Sequence, residues 1–581
     1  MKQDRVLAVV GARLNSSRLP AKQLLDLSGK PLIERVFERL ERCESLSKIV
    51  LATTADAFNQ KLVAWAEKGA KAVFAYPGDV NNLMDRVHQV VLAEQPAVVV
   101  YVCGDSPLIE PVTIDRLVHK LTQTSGDMAT VSSLNGKNPI HEGFSVYSRD
   151  FWERLYRSST GAHEKEHVGA AMAAMGGRYS PVYLQDQPIY YQIQHRLSVD
   201  TPSDYRFMQE VYRRWYGRSD QTSIVDLAWV INLLQEDPKL KNVNARVKQR
   251  AVGETAYRVL MATVAGPEWG LGHLSRALVA IKALQDQCAA GVFLLIEGTA
   301  CENPELDLIP HQWIEPGQLP SALDESLQQD DFQVLIGDWP PARFDQPIEE
   351  VVRRWHQQLP VVSVDFAIPT EPLVEHQWIP SFYLSPEQRN AKVRYGWDAY
   401  LLRKPEFDTG THPTTVLVLS GGSDALGLGA TLPTLLDSTL PPGIRVIWVR
   451  GPFAEDPQLN KPSRLDWQVE KVPWPLTALL AQSHFAVAVY GVSLFECILH
   501  RLPCVTLLPQ ELRSSPETNA FKAAGVARLA HSEDEAVNAL CHLIEDSEAA
   551  GELRARQEIL SQDGPTHFAR AVQGLIDEFQ A

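Results

Sequence analysis

The chain opens on an apolar run, Val6 to Ala12, that Arg13 interrupts at once. Short Val/Ile/Ala-rich runs then recur as RVLAVV, KIVLATT, AVFAY and VVVYVCGD. Between them, apolar positions repeat every three to four residues in PLIERVFERLER, near residues 58–67 and in NNLMDRVHQVVLAEQ. Continuous apolar runs suit strands buried on both faces, and the intervening period suits amphipathic helices. The alternation predicts a mostly parallel sheet with covered faces, in which ligands lie beyond the carboxyl ends of the strands.

Near residue 225 the periodic segment IVDLAWVINLLQ gives way to a polar, basic stretch, EDPKLKNVNARVKQRAVGETAYR, which reads as a domain end and linker. A boundary at about Arg250 follows. Alternation restarts with YRVLMATVAG, a helix from about Ser275, GVFLLIEG, VLIGDW and VVSVDF. After a Pro- and Trp-rich middle come TTVLVLSGGSD, RVIWVRGP, FAVAVYG and LPCVTLLP. Two further α/β lobes are predicted, joined between Arg403 and Pro413. The expected units are 1–250, 256–405 and 412–581, with a last helix near 565–580 packing on one of the two lobes.

Composition agrees with several folded domains. A length of 581 residues exceeds one core, and 45% hydrophobic with 22% charged residues is the globular average. Residues 1–250 carry 32 Lys+Arg against 28 Asp+Glu, while residues 251–581 carry 23 against 43, so two differently built halves are joined. The net charge of −16 disfavours a nucleic-acid partner. Seven cysteines without CxxC spacing suggest neither a disulfide framework nor a zinc cage and point to the cytoplasm. No apolar stretch reaches membrane-span length.

Candidate chemistry begins after the first strand, where Gly11 to Lys22 brings Arg13, Ser16, Arg18 and Lys22 into one loop and Gly29-Lys30-Pro31-Leu32-Ile33 opens a helix. Cations and small residues at a strand end can neutralise a triphosphate. VVVYVCGD ends in Gly104-Asp105-Ser106-Pro107-Leu108-Ile109, a carboxylate at a strand's carboxyl end, and Arg196 to Asp204 is read as repeating that arrangement with Asp200. Magnesium bridging phosphates takes only one or two protein carboxylates, so Asp105 and Asp200 suffice.

These stations, written ARxxSxRLPxK, GKPLI, GDxPLI, Glu166-His167-Val168 and VDTPxD, resemble the cytidylyltransferase family of acylneuraminate and 3-deoxy-manno-octulosonate cytidylyltransferases over about residues 5–250, and its spore-coat polysaccharide SpsF-like branch in particular. The resemblance implies a GT-A-like nucleotidyltransferase sheet, CTP, a nonulosonic sugar acid and Mg²⁺. It implies nucleotide contacts from Arg13, Ser16, Arg18, Lys22 and Gly104, with Arg13 and Lys22 assisting catalysis and Asp105 and Asp200 holding the metal. His163 and His167 are candidates to touch the sugar or to serve structurally.

In the second half, Gly266 to Arg276 follows a strand and starts a helix; Gly421-Gly422-Ser423-Asp424 follows VLVLS; and Gly491 to Glu496 follows FAVAVY, with Thr518-Asn519-Ala520 beyond. Glycines admit close backbone approach and helix N-termini attract anions. A carboxylate one turn past such a terminus can accept ribose hydroxyls. GxGHxxR, SGGSD and GxSxxE look like the two-lobed GT-B family over about residues 258–560, especially the UDP-sugar hydrolase PseG with its SpsG and MurG-like relatives.

That resemblance implies a UDP-sugar between the lobes, held by Gly272, Arg276, Gly421, Gly422, Ser423, Ser493, Glu496 and Asn519, with His273 activating water and no cofactor. The expectation for the whole is a bifunctional protein of nonulosonic acid biosynthesis, with a homodimer left open. The alternatives for the second half are a GT-B glycosyltransferase and a non-catalytic nucleotide-binding module.

Overall fold

The computed structural model describes residues 5–248, 257–340, 345–365, 373–405, 413–471 and 475–581. The chain divides into two compact units, Met1–Ala256 and Tyr257–Ala581. Arg250 and residues 406–412 of the expected lobe junction lie outside the described residues.

The first unit is built on strands β1 (Val6–Gly11), β2 (Lys48–Thr54), β3 (Ala72–Tyr76), β4 (Val98–Cys103), β5 (Met128–Val131), β6 (Phe144–Ser148) and β7 (Pro181–Leu184). Their order is β3-β2-β1-β4-β6-β5-β7, with β6 antiparallel to both neighbours and every other pair parallel. Gly11 is level with Ala52 and Cys103, so β1 and β4 end together, β2 runs two residues further, and the loops beyond them form one rim. Residues Val6–Val10 and Val98–Val102 are buried, as sheets covered on both faces require. The helix Leu32–Leu40 buries Leu32, Ile33, Val36, Phe37 and Leu40.

One expectation is corrected. Asp200 does not follow a strand; residues 192–200 carry no strand, and Thr201 caps the helix Pro202–Tyr216, its side chain and that of Asp204 forming a reciprocal capping box. VDTPxD is a helix entry, which brings Asp200 to the same rim by a different route.

The second unit has two parallel sheets. One contains β8 (Arg258–Ala265), β9 (Gly291–Gly298), β10 (His311–Ile314), β11 (Val334–Asp338), β12 (Val361–Val364), β13 (His376–Trp378) and β14 (Val393–Arg394), in the order β10-β9-β8-β11-β12-β13-β14. The other contains β15 (Thr415–Leu419), β16 (Arg445–Arg450), β17 (Asp466–Lys471), β18 (Phe485–Val489), β19 (Cys504–Leu507) and β20 (Arg528–Ala530), in the order β17-β16-β15-β18-β19-β20. In each the order reverses at the first strand, so crevices open beyond the carboxyl ends of β8 and β15. This is the two-lobed GT-B arrangement.

The helix expected from Ser275 begins at Gly272, which places His273 in its first turn. The last helix, Gly564–Gln580, returns to the first lobe: Phe568, Ala569, Val572 and Ile576 join its core, Phe568 packs edge-on to Trp378 at 5.3 Å, and Cys288 Sγ donates to the Ala569 carbonyl at 3.3 Å. Among the described residues no helix is long and apolar enough to cross a membrane.

Candidate functional site

In the first unit the loop after β1 is anchored from below. Leu14 and Leu19 are buried, the Leu14 N–H donates to Asn59 Oδ1 at 2.7 Å, and the Ala21 N–H donates to the Leu14 carbonyl at 2.8 Å. Anchoring the apolar positions turns the polar ones to the rim. Gly104 packs against this loop; a Cβ there would meet that of Ala12 at 2.7 Å, so glycine is required for close approach of the two strand ends. Ser16 Oγ accepts the Leu19 N–H at 3.3 Å.

Lys22 is the centre of the arrangement. Its Nζ donates to Asp105 Oδ2 and to Asp200 Oδ1, each at 2.7 Å. Arg18 approaches Asp200 Oδ1 at 3.3 Å, and Arg196 pairs with the other Asp200 oxygen. Burial works against charge on Lys22, yet the two carboxylates outweigh it and hold its pKa above the ordinary value. Burial likewise opposes ionisation of Asp200, but Lys22, Arg18 and Arg196 prevail and hold it far below the usual carboxylate range.

Asp105 Oδ2 and Asp200 Oδ1 thus converge on the Lys22 ammonium, and these two carboxylates are the hard oxygen donors at the rim that could hold a cation such as Mg²⁺. Among the described residues there is no cage of three or more His, Cys, Asp or Glu. Arg13 is held to one side by the Val80 carbonyl at 3.2 Å, Asn81 Oδ1 at 2.7 Å and Glu166 Oε1 at 2.9 Å. His163 and His167 stack edge-to-face at 5.1 Å around the short helix that carries Glu166. Arg196, Asn81 and Glu166 were not singled out as site residues from sequence.

In the second unit a cleft of about 340 Å³ is lined by Gly270, Gly272, Gly421, Gly422, Ser423, Ser493 and Glu496. Glycines line one part of it, and Trp269, Leu271, Leu476, Tyr490 and Val492 line much of the rest. A Cβ on Gly422 would come 3.1 Å from the Leu271 nitrogen, and one on Gly451 would meet the Gly422 carbonyl oxygen at 2.3 Å. The N-termini of the helices Gly272–Cys288 and Val492–Leu499 open on it, offering unpaired N–H groups to an anion. Arg450, at the end of β16, adds a cation that sequence reading passed over. Asn519 is exposed on the helix Pro516–Ala524 and does not line the cleft.

Glu496 is buried, which pushes its carboxyl up, and Arg403 opposes the shift from 3.5 Å. Arg403 also donates to Ser275 Oγ at 2.7 Å and pairs with Glu305, tying the lobe junction to both sheets.

His273 stands beside this cleft in a second cluster. Its Nδ1 lies 2.8 Å from Asp338 Oδ1, at the carboxyl end of β11. Asp338 is fully buried, and burial alone would raise its pKa; Arg276 overcomes this, with Nε 2.9 Å from Oδ2 and Nη2 2.6 Å from Oδ1. An ionised carboxylate accepts only, so Asp338 draws the imidazole proton to Nδ1, while Arg276 Nη2, which only donates, lies 2.8 Å from the same nitrogen and competes for it. Arg276 Nη2 also reaches Asp365 Oδ2 at 3.0 Å, and His273 Nε2 lies 3.9 Å from the same oxygen. Asp365 has φ of 77°, a left-handed conformation uncommon outside glycine. Arg276 thus faces carboxylates rather than the cleft, and Asp338 and Asp365 are site residues absent from the sequence reading.

Residues 7–227 match the family model described as Cytidylyltransferase. The spore coat polysaccharide biosynthesis protein SpsF of Bacillus subtilis is 25% identical over 238 residues, 40% of this chain and 95% of that protein. The 3-deoxy-manno-octulosonate cytidylyltransferase of Anaeromyxobacter dehalogenans strain 2CP-1 is 36% identical over 115 residues, 19% of this chain; the chain spans about half the length, 46%, of that relative. Among solved structures, MurG of Acinetobacter baumannii is similar at 16% identity and a TM-score of 0.40, over 55% of this chain and 100% of that one.

Proposed function

We propose that the chain joins two nucleotide-sugar enzymes: a first unit, of the cytidylyltransferase family, that activates a nonulosonic acid with CTP, and a second unit that releases UDP from a UDP-2,4-diacetamido-trideoxy sugar. The observation that carries the first reading is the meeting of Asp105 and Asp200 on Lys22, beside Arg18, at the sheet rim. A hydroxyl of the sugar acid attacks the α-phosphorus of CTP, and pyrophosphate leaves. Arg13, Arg18 and Lys22 bind the triphosphate and offset charge gathering on its oxygens, so catalysis is positioning and electrostatics. Asp105 and Asp200 would hold Mg²⁺, which when bound supplies Lewis-acid stabilisation of the phosphoryl oxygens.

In the second unit the pairing of His273 with Asp338 supports hydrolysis. Gly422, Ser423, Ser493 and Arg450 hold the diphosphate, and Glu496 accepts the ribose hydroxyls. His273 Nε2 removes a proton from water as its oxygen attacks the anomeric carbon; the bond to the UDP oxygen breaks, and UDP leaves. Asp338 stabilises the imidazolium that forms. The intact protein, given CTP, Mg²⁺ and a panel of nonulosonic acids, is expected to yield a CMP-sugar and pyrophosphate by mass spectrometry. Given UDP-diacetamido sugars in ¹⁸O-water, it is expected to yield UDP and a labelled free sugar without added metal. UDP release only when a sugar or lipid acceptor is present would assign the second unit to glycosyl transfer.

A further inference from the structure

The first unit buries three arginines of very different standing. Arg35 and Arg39 are each 1% exposed and well served: Arg35 donates from Nε and Nη2 to the Leu27 carbonyl at 3.0 and 2.8 Å, and Arg39 donates from Nη1 to the Val225 carbonyl at 2.6 Å and faces Glu110 at 3.3 Å. Arg86 is 3% exposed, yet its Nε and Nη1 meet no hydrogen-bond partner among the described residues. A buried guanidinium with unanswered N–H groups is costly, and burial pushes its pKa down to about 10.

Its position is informative. Arg86 lies on the helix Leu83–Glu94, whose first residue packs against the carboxyl end of β1; a Cβ on Gly11 would come 3.2 Å from Leu83 Cδ1 and 3.1 Å from the Tyr101 hydroxyl. One turn further on, Arg86 shares that face. The charged and titratable groups acting on it are Tyr101, Tyr76, Asp56 and Arg13. Asp56 is already engaged by Thr54, Asn59 and the Phe58 N–H, and Arg13 brings a second positive charge to the same end of β1. Arg13 is answered by Glu166 at 2.9 Å, whereas Arg86 has no ion-pair partner among the described residues.

We propose that Arg86 is an anion-binding residue of this site, its unpaired N–H groups taking an oxyanion of a substrate that enters beside Arg13, either a phosphoryl oxygen of the nucleotide or the carboxylate of the sugar acid. The inference rests on the nucleotidyltransferase reading of the first unit. Strain kept at a buried position for a ligand should be relieved when the charge is removed.

Thermal unfolding of the full-length wild type, Arg86→Met and Arg86→Lys, each with no addition, with CTP, with tripolyphosphate and with 3-deoxy-manno-octulosonate, tests this. Without ligand, the CTP-responsive transition of Arg86→Met should rise by about 2–4 °C, and the upward shift that one anion gives the wild type should be lost, while Arg86→Lys keeps part of it. Loss of the tripolyphosphate shift names the phosphate source; loss of the sugar-acid shift names the carboxylate. Shifts undiminished in Arg86→Met overturn the proposal. So do shifts lost equally in both variants with a lowered midpoint, and a wild type that no anion stabilises. Pyrophosphate release from CTP by the wild type is measured alongside. Its absence would refute the reading of the unit, whereas release together with undiminished shifts in Arg86→Met would refute only Arg86.

Discussion

In the first unit two carboxylates grip a cation; in the second, a carboxylate gripped by a cation holds an imidazole. Lys22 between Asp105 and Asp200 leaves no neutral base within the cluster, and its resources are charge and position. Asp338, neutralised by Arg276 and bonded to His273, supplies what the first cluster lacks, an imidazole held by a carboxylate. Both use an aspartate at or just beyond the end of a parallel strand, Asp105 after β4 and Asp338 ending β11. On the proposed reading, the same strand-end position serves two chemistries, and what the carboxylate is paired with decides between them.

The largest expected break in this comparison is His273→Asn, which should lower UDP release by on the order of 10² to 10⁴ with little change in UDP affinity measured by calorimetry. Affinity and turnover falling together would make His273 a phosphate contact. Asp105→Ala should lower pyrophosphate release from CTP by roughly 10² to 10³, the scale of one electrostatic contact to the transition state, with the second activity intact. Asp338→Asn should cost UDP release on the order of 10², because an amide no longer fixes the Nδ1 proton. It should add nothing in a His273→Asn background, and an additive double variant would separate the two residues.

The smallest effect concerns Glu496. Burial raises its pKa and Arg403 counters this, so its ionisation is lost at a higher pH once Arg403 is removed. Ribose binding needs the carboxylate, so UDP affinity rises with pH through the Glu496 value. Arg403→Met should move that rise to higher pH with its plateau retained, as calorimetry across a pH series would show. The stability linked to Glu496 is present below the ordinary carboxylate range and falls as pH rises through its folded value, so the variant should also lose more stability than the wild type as pH increases. A pH profile that does not move would remove Glu496 from the ribose site.

Much of this was legible before the structure. The long apolar runs became β1, β4, β8, β11 and β15, because buried parallel strands need continuous apolar sequence. β13 and β14, three and two residues long, were not legible, since a strand that short displays no period. Asp105, His273, Ser493 and Glu496 stood out because glycines or strand ends precede them, and Lys22 because it closes the cation-rich ARxxSxRLPxK loop. Asp338 carries the same Gly-Asp signal as Asp105, in VLIGDW, and was passed over although the rule that found Asp105 applies to it. Asp365 and Arg403 meet partners distant in sequence, which spacing cannot reveal. The route of Asp200 was misread because a helix cap and a strand end both place an aspartate before a turn.

The most direct test of two separate chemistries crosses two variants with two reactions. Full-length wild type, Asp105→Ala and His273→Asn are each assayed for CMP-sugar formation from CTP with nonulosonic acids, and for UDP release from UDP-diacetamido sugars in ¹⁸O-water, by mass spectrometry. The account predicts that Asp105→Ala loses only the first reaction and His273→Asn only the second, with label in the freed sugar. Loss of both reactions in either variant, or a wild type that forms CMP-sugar but releases UDP from none of the sugars without an acceptor, would contradict it.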